Sequence, residues 1–138
     1  TLGHLPYWNV RMTRRAGRDA VLDAFGASSR IALIRGEEGL VALNSVKEWM
    51  LEIGRPRGDL YEVALWADML TVQGDELFYA YMVDNQAIVI PETIDAIRAL
   101  AGSARDAAAS IAATNAALGI GHLGSAPNRS QGQPPANG

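Results

Sequence analysis

Cysteine is absent from all 138 residues. Within this stretch that excludes a disulfide scaffold, a thiolate metal site and a cysteine nucleophile. Histidine is nearly absent too. His4 and His122 lie too far apart in sequence to form a local metal motif, and no metal ligand set is expected. No apolar run approaches the ~18 residues that a membrane-spanning helix needs, and no secretory leader is visible. The expectation is a soluble, cytoplasmic protein with no membrane partner. Positive charge is in short supply, with 12 Lys and Arg against 15 Asp and Glu and a net charge of −3, which argues against nucleic acid as a partner. The one local basic cluster, Arg11, Arg14, Arg15 and Arg18, reads as a solvated rim. The chain carries no P-loop and no G-x-S-x-G. It begins at Thr1, inside what reads as a strand entry, so a processed or truncated start is expected.

What the chain does have is core-forming material. Hydrophobic residues make up 49% of it, enough for one domain or part of one. Leu5 to Thr13 reads as a strand in which Tyr7, Trp8 and Val10 want a half-buried setting, with Pro6 at its start or on an edge. Arg18 to Phe25 reads as a short helix ended by Gly26. Arg30 to Arg35 reads as a buried strand, and Gly36 to Gly39 as a solvated turn. Asn44 or Ser45 is placed to cap a helix whose stripe is Val46, Trp49, Met50 and Ile53. Gly54 and Pro56 close that helix. The charged loop of Arg55, Arg57 and Asp59 reads as a surface turn in preference to a phosphate site.

Leu60 to Trp66 is the next strand. Leu70 to Val72 and Leu77 to Val83 flank Gln73-Gly74-Asp75, a hairpin signal. Two helices follow, one from Pro91 with Ile94, Ile97 and Ala101 as its buried face, and one from a Ser103–Asp106 start to about Leu118, rich in alanine. From 121 to 138 the chain is Gly, Pro, Ser, Asn and Gln with almost no core formers, which predicts a disordered tail. The element order describes an α+β domain: a largely antiparallel open sheet with helices on one face.

Chemistry is sparse. His4, beside a strand start, is the best single candidate for a proton acceptor, with a partly buried histidine of no role as the other reading. Asp84-Asn85-Gln86 sits where an extended segment meets a helix start. Such joints carry binding groups, although Asn and Gln also serve simply to end strands.

Several stretches, taken together and in order, resemble the archaeal-type (type II) glyceraldehyde-3-phosphate dehydrogenases. They are T-L-G-H; D-A-V-L-D-A-F with R-I-A-L-I; E-E-G-L; G-R-P-R-G-D-L-Y-E-V-A-L-W; L-T-V-Q-G-D-E-L-F-Y; I-V-I-P-E-T-I-D-A-I-R-A-L; and S-I-A-A-T-N-A-A-L-G-I, which is similar to the family's last helix. They cover nearly all of Thr1 to Ile120. The resemblance implies that residues 1–120 are the C-terminal part of a dehydrogenase catalytic domain, without the dinucleotide-binding domain and without the catalytic cysteine. It implies NAD or NADP as cofactor, glyceraldehyde 3-phosphate and phosphate as substrates, a homo-oligomer, and no activity for this stretch alone. His4 falls where the family has a histidine that acts as base. Asn85, with Gln86 as its neighbour in register, falls where the family has an amide that meets the nicotinamide carboxamide. The family's usual residues there are His-Gln, and this chain has Asp84-Asn85. The other functional class open to the chain is a non-catalytic, self-associating interaction domain built on the same fold. Because the residues that separate NAD from NADP lie in the other domain, the preference is not written here.

Overall fold

The structure is a computed structural model that describes residues 3–121 and 123. Its strands are β1 (Tyr7–Arg11), β2 (Ile31–Ile34), β3 (Val63–Trp66), β4 (Thr71–Gln73) and β5 (Glu76–Met82). Its α-helices are α1 (Arg18–Gly26), α2 (Leu43–Glu52), α3 (Val89–Ala101) and α4 (Ala107–Leu118). The strand order is β1-β5-β3-β2, with β4 also paired to β5. Three of the pairings are antiparallel, and β2 runs parallel to β3. That parallel pair is joined through α2, because parallel neighbours need a crossover and not a tight turn. The fold is the expected α+β arrangement with a mostly antiparallel open sheet. The hairpin expected around Gly74 is the β4–β5 pair, and Gly74 sits at φ 68°, where only glycine is unstrained.

Alternation along the strands decides what lies on each face. Ala32, Ile34, Ala64, Trp66 and Met82 point to one side and pack with Val46, Trp49 and Met50 of α2. Ile31, Leu33, Leu65, Leu77, Tyr79 and Tyr81 point to the other and pack with Val21, Leu22 and Phe25 of α1. The helices are thus divided between the two faces instead of gathered on one, because β2, β3 and β5 are apolar on both sides. Val46 and Met50 are fully buried, and burial of side chains of this size contributes about 1.5–3 kcal/mol each. Trp66 satisfies its indole N–H by donating to the Leu40 carbonyl at 2.6 Å. Arg18 pins α1 to the chain before β4, donating to the carbonyls of Ala67 and Leu70.

Several local expectations are corrected. Tyr7 and Trp8 are 67% and 51% exposed, because β1 is an edge strand with β5 as its one neighbour. The stripe of α2 loses its last member: Ile53 follows the helix end and is exposed. Ser45 caps α2 from inside the first turn, accepting from Ala42 N–H and donating to Ala42 C=O. Arg55 and Asp59 are buried and do not form a surface turn. Arg55 makes two bonds of 2.5 and 2.6 Å to Glu62 and a third to the Gly119 carbonyl, a fork geometry that suits a desolvated carboxylate. Ile88 to Ile90 is already helix entry, so α3 starts two residues before Pro91. Of the face expected on α3, Ile94 is half-buried, while Ile97, 60% exposed, and Ala101 face solvent.

The last helix is held by polar groups. Its buried residues are Ser110, Thr114 and Asn115, while Ile111 is exposed. Asp106 is its cap, accepting from Ala109 N–H at 2.8 Å, with Ser103 outside that role. Asp95 of α3 accepts from Ser110 and Thr114, each at 2.7 Å, and from Arg30 at 2.6 Å. Arg98 donates to Thr114 and to the Ser110 carbonyl, and Asn115 bridges Arg30 and Ser29. The last helix is therefore tied to α3 and to the start of β2. The tail expected to be disordered lies outside the described residues except for Gly121 and Leu123. Leu123 packs against the core under α2.

Candidate active site

The site is built where the chain's first described residues meet the end of β5. His4 and Val83 exchange both backbone hydrogen bonds, His4 N–H to Val83 C=O at 3.0 Å and Val83 N–H to His4 C=O at 3.1 Å. Gly3 lets the two segments close. A Cβ at that position would stand 2.7 Å from the Val83 carbonyl oxygen, a contact that backbone atoms cannot relieve by rotating.

Beyond Val83 the chain turns, and Asp84 organises the turn. Its carboxylate accepts from the backbone N–H groups of Gln86 and Ala87 at 3.1 and 3.3 Å. It also takes Lys47 of α2 at 2.6 Å and Leu60 N–H at 3.4 Å. An Asp that bonds the backbone two residues on is a local turn-maker. Asp84 is buried. Burial pushes its carboxyl up, but Lys47 and the N–H groups of Gln86 and Leu60 outweigh that and hold it below its ordinary value.

The turn lifts Asn85 and Gln86 into solvent. The Asn85 amide nitrogen lies 3.2 Å from His4 Nε2. Two residues 81 positions apart, each singled out for a different role, thus touch. Gln86, exposed on the same turn, contributes its backbone N–H to Asp84. The arrangement offers an accessible imidazole for proton transfer and amide groups free to recognise a polar ligand.

Lys47 and Gly3 were not singled out from the sequence. An Asp directly before Asn-Gln is a legible Asx-turn signal, whereas nothing near Lys47 announces a partner 37 positions away. Among the described residues no group of three or more His, Asp or Glu could hold a metal ion, and no helix is long and apolar enough to cross a membrane.

The fold is an open α+β sheet with a histidine and an amide juxtaposed at the end of its long strand, and comparison with known proteins gives the class. No family model matches the chain. Curated relatives do. A glyceraldehyde-3-phosphate dehydrogenase of Halobacterium salinarum is 41% identical over 120 residues, which are 87% of this chain and 36% of that protein. One of Metallosphaera sedula is 38% identical over 121 residues, 88% of this chain and 35% of that protein. One of Pyrobaculum calidifontis is 41% identical over 102 residues, 74% of this chain and 30% of that protein. The chain belongs to the archaeal-type glyceraldehyde-3-phosphate dehydrogenase family, as a C-terminal portion of it. It spans about a third of the length of the curated relatives it matches.

Proposed function

We propose that residues 1–120 are the C-terminal part of the catalytic domain, with the terminal helix, of an NAD(P)-dependent enzyme that oxidises glyceraldehyde 3-phosphate with phosphate as co-substrate. The remaining residues, 121–138, follow that domain as a tail, of which Leu123 packs on its core. In this reading His4 is the base, and Asn85, with Gln86 beside it, faces the nicotinamide side of the site. The observation that supports it is the 3.2 Å approach of the Asn85 amide to His4 Nε2. A base and a cofactor-facing amide must lie together for a hydride to leave the substrate carbon and a proton to leave the oxygen bound to it.

The bound nicotinamide would supply the hydride acceptor. His4 would take a proton at its bare ring nitrogen. Asp84, through Gln86 and Ala87, holds the turn that aims the amide. The chain has no cysteine, and its G-x-G-x-x-G string, Gly119 to Gly124, follows helix α4 and not a strand as a dinucleotide fingerprint does, so alone it is inactive in this reading. Assembly as a homo-oligomer in the cytoplasm belongs to the same proposal.

The test is complementation. The chain is co-expressed with the N-terminal two thirds of the Halobacterium salinarum relative, and NAD(P)H formation is followed with glyceraldehyde 3-phosphate and phosphate. Turnover appears only in the complemented pair, and His4→Ala lowers it by about 10²–10⁴-fold. Aldehyde oxidation by the isolated chain, or a His4→Ala pair as fast as the parent, overturns the reading.

A second reading is favoured by the exposed aromatics of the edge strand, Tyr7 and Trp8: a non-catalytic module that pairs with copies of itself. It predicts that a complementing N-terminal part leaves nucleotide binding unchanged.

A further inference from the structure

We infer that Asn85 is a positioning residue for His4, selecting the tautomer of its imidazole by donating to the Nε2 lone pair. The inference takes the proposed base as its subject, yet its geometry stands independently of which reaction the whole protein performs.

The atoms in contact are Asn85 Nδ2 and His4 Nε2, 3.2 Å apart. An amide nitrogen donates and has no lone pair to offer. The bond therefore runs from Asn85 N–H to Nε2, which must be the unprotonated nitrogen, and the neutral ring carries its proton on Nδ1. A histidine side chain free in water prefers the opposite form, with the proton on Nε2. One exposed amide thus reverses an intrinsic preference, as hydrogen-bond partners of histidine generally do.

Both partners are fixed from behind. His4 is held by two backbone bonds to Val83. Asn85 is held by the Asp84 turn, whose carboxylate bonds the backbone on its far side and is itself locked by Lys47. Backbone anchoring on both sides keeps the imidazole and the amide within reach of each other, and the bond between them favours the Nδ1–H tautomer.

The amide serves both protonation states. While Nε2 is bare, Nδ2–H donates to it. Once Nε2 takes a proton, rotation of the amide about χ2 presents Oδ1 to the new N–H. No co-reactant is needed: the amide swings away and frees the Nε2 lone pair, one proton moves from the ligand to it, and Oδ1 then accepts from the new N–H. A longer glutamine has the same donor and acceptor and preserves this behaviour. A leucine of similar bulk has neither.

The tautomer is read directly from imidazole ¹⁵N shifts of the ¹⁵N-histidine-labelled chain, at a pH of about 8.5, where an ordinary histidine is neutral. His122→Gln removes the second signal. The expected result is a bare Nε2 and a protonated Nδ1 at His4. In Asn85→Leu the pattern reverts to Nε2–H, and in Asn85→Gln it stays as in the parent. A parent chain that already shows Nε2–H, or an Asn85→Leu chain that keeps the parent pattern, overturns the inference. Asn85 is solvent-exposed, so these variants do not challenge the core, and the parent measurement is decisive without any variant.

In the complemented enzyme, Asn85→Leu lowers kcat about tenfold with the KM for aldehyde unchanged, and Asn85→Gln restores it. If complementation fails while the tautomer is as stated, the proposed function falls and the positioning role stands. If complementation succeeds while the parent His4 carries its proton on Nε2, the positioning role falls and the proposed function stands.

Discussion

Two carboxylates organise the two functional ends of this molecule, and they do so by different means. Asp84 is satisfied in half by its own neighbourhood, through the Gln86 and Ala87 N–H groups within three positions, with Lys47 and the Leu60 N–H closing it from outside. Asp95 is satisfied by side chains from afar: Arg30, 65 positions away, and Ser110 and Thr114, 15 and 19 positions away. The first makes a turn and aims a site. The second fastens one helix to another. A carboxylate anchored to its own backbone imposes local geometry even in a partly folded chain. One that depends on distant side chains exists only after the tertiary fold has closed.

Removing Asp84 has the largest expected effect on that contrast. Asp84→Ala strands Lys47 and three backbone N–H groups, and urea unfolding reads a loss of about 3–5 kcal/mol. Lys47→Met removes the charge as well and recovers part of that loss in the Asp84→Ala background; no recovery would mean that the turn, and not the ion pair, dominates. Gly3→Ala comes next. Its Cβ would meet the Val83 carbonyl, and separation of the His4–Val83 bridge costs about 1–3 kcal/mol. In the same variant the His4 imidazole resonances shift, and their unchanged position would show that the bridge does not set the histidine.

Asp95→Ala releases α4 from α3 and costs about 1–3 kcal/mol. Amide exchange in α4 accelerates while the β4–β5 hairpin stays protected. Equal acceleration in both would mean that the helix pair does not open as a separate unit.

Acid titration distinguishes the two carboxylates more finely. Burial raises the Asp95 carboxyl, but Ser110, Thr114 and Arg30 overcome this and lower it to about 2. Its folded value is thus below its unfolded one. Its contribution is complete above the ordinary carboxylate range and is lost as pH falls toward about 2. That contribution is about 1 kcal/mol once solvent screening is allowed for. The Asp84 carboxyl is lowered in the same direction, so the parent loses stability on acidification, and Asp95→Asn loses less of it between pH of about 4 and about 2. Acid unfolding curves of equal slope would refute the assignment to Asp95. The smallest effect is expected at the exposed strip of α3, where Leu100→Lys changes stability by less than about 0.5 kcal/mol.

The same contrast explains what could be read in advance. The α2 stripe, the β4–β5 hairpin around Gly74 and the Asp84-Asn85-Gln86 joint are visible because each is a pattern within a few residues. The burial of Arg55 is not visible. A charged pair beside Pro56 and Gly58 looks like any surface turn until Glu62 and the Gly119 carbonyl are brought to it. Nor is the polar face of α4 visible. Ile111 and Leu118 are the apolar residues of an alanine-rich run and invite the reading of a hydrophobic seam. In the fold, Ser110 and Thr114 turn inward because Asp95 waits there with acceptor capacity to spare. The exposure of Tyr7 and Trp8 follows from strand order, which strand composition does not encode.

By itself the sequence determined the period of each element, the glycines at which the chain must turn, the family to which it belongs, and the pair His4 and Asn85 as residues of interest. Each of these depends on interactions or patterns carried along the chain. Only the tertiary structure decided that His4 and Asn85 touch, that Lys47 locks the turn between them, and which face of the last helix is buried. Those outcomes depend on charges and hydrogen-bond partners whose desolvation is compensated only when segments far apart in the chain are brought within about 3 Å of one another.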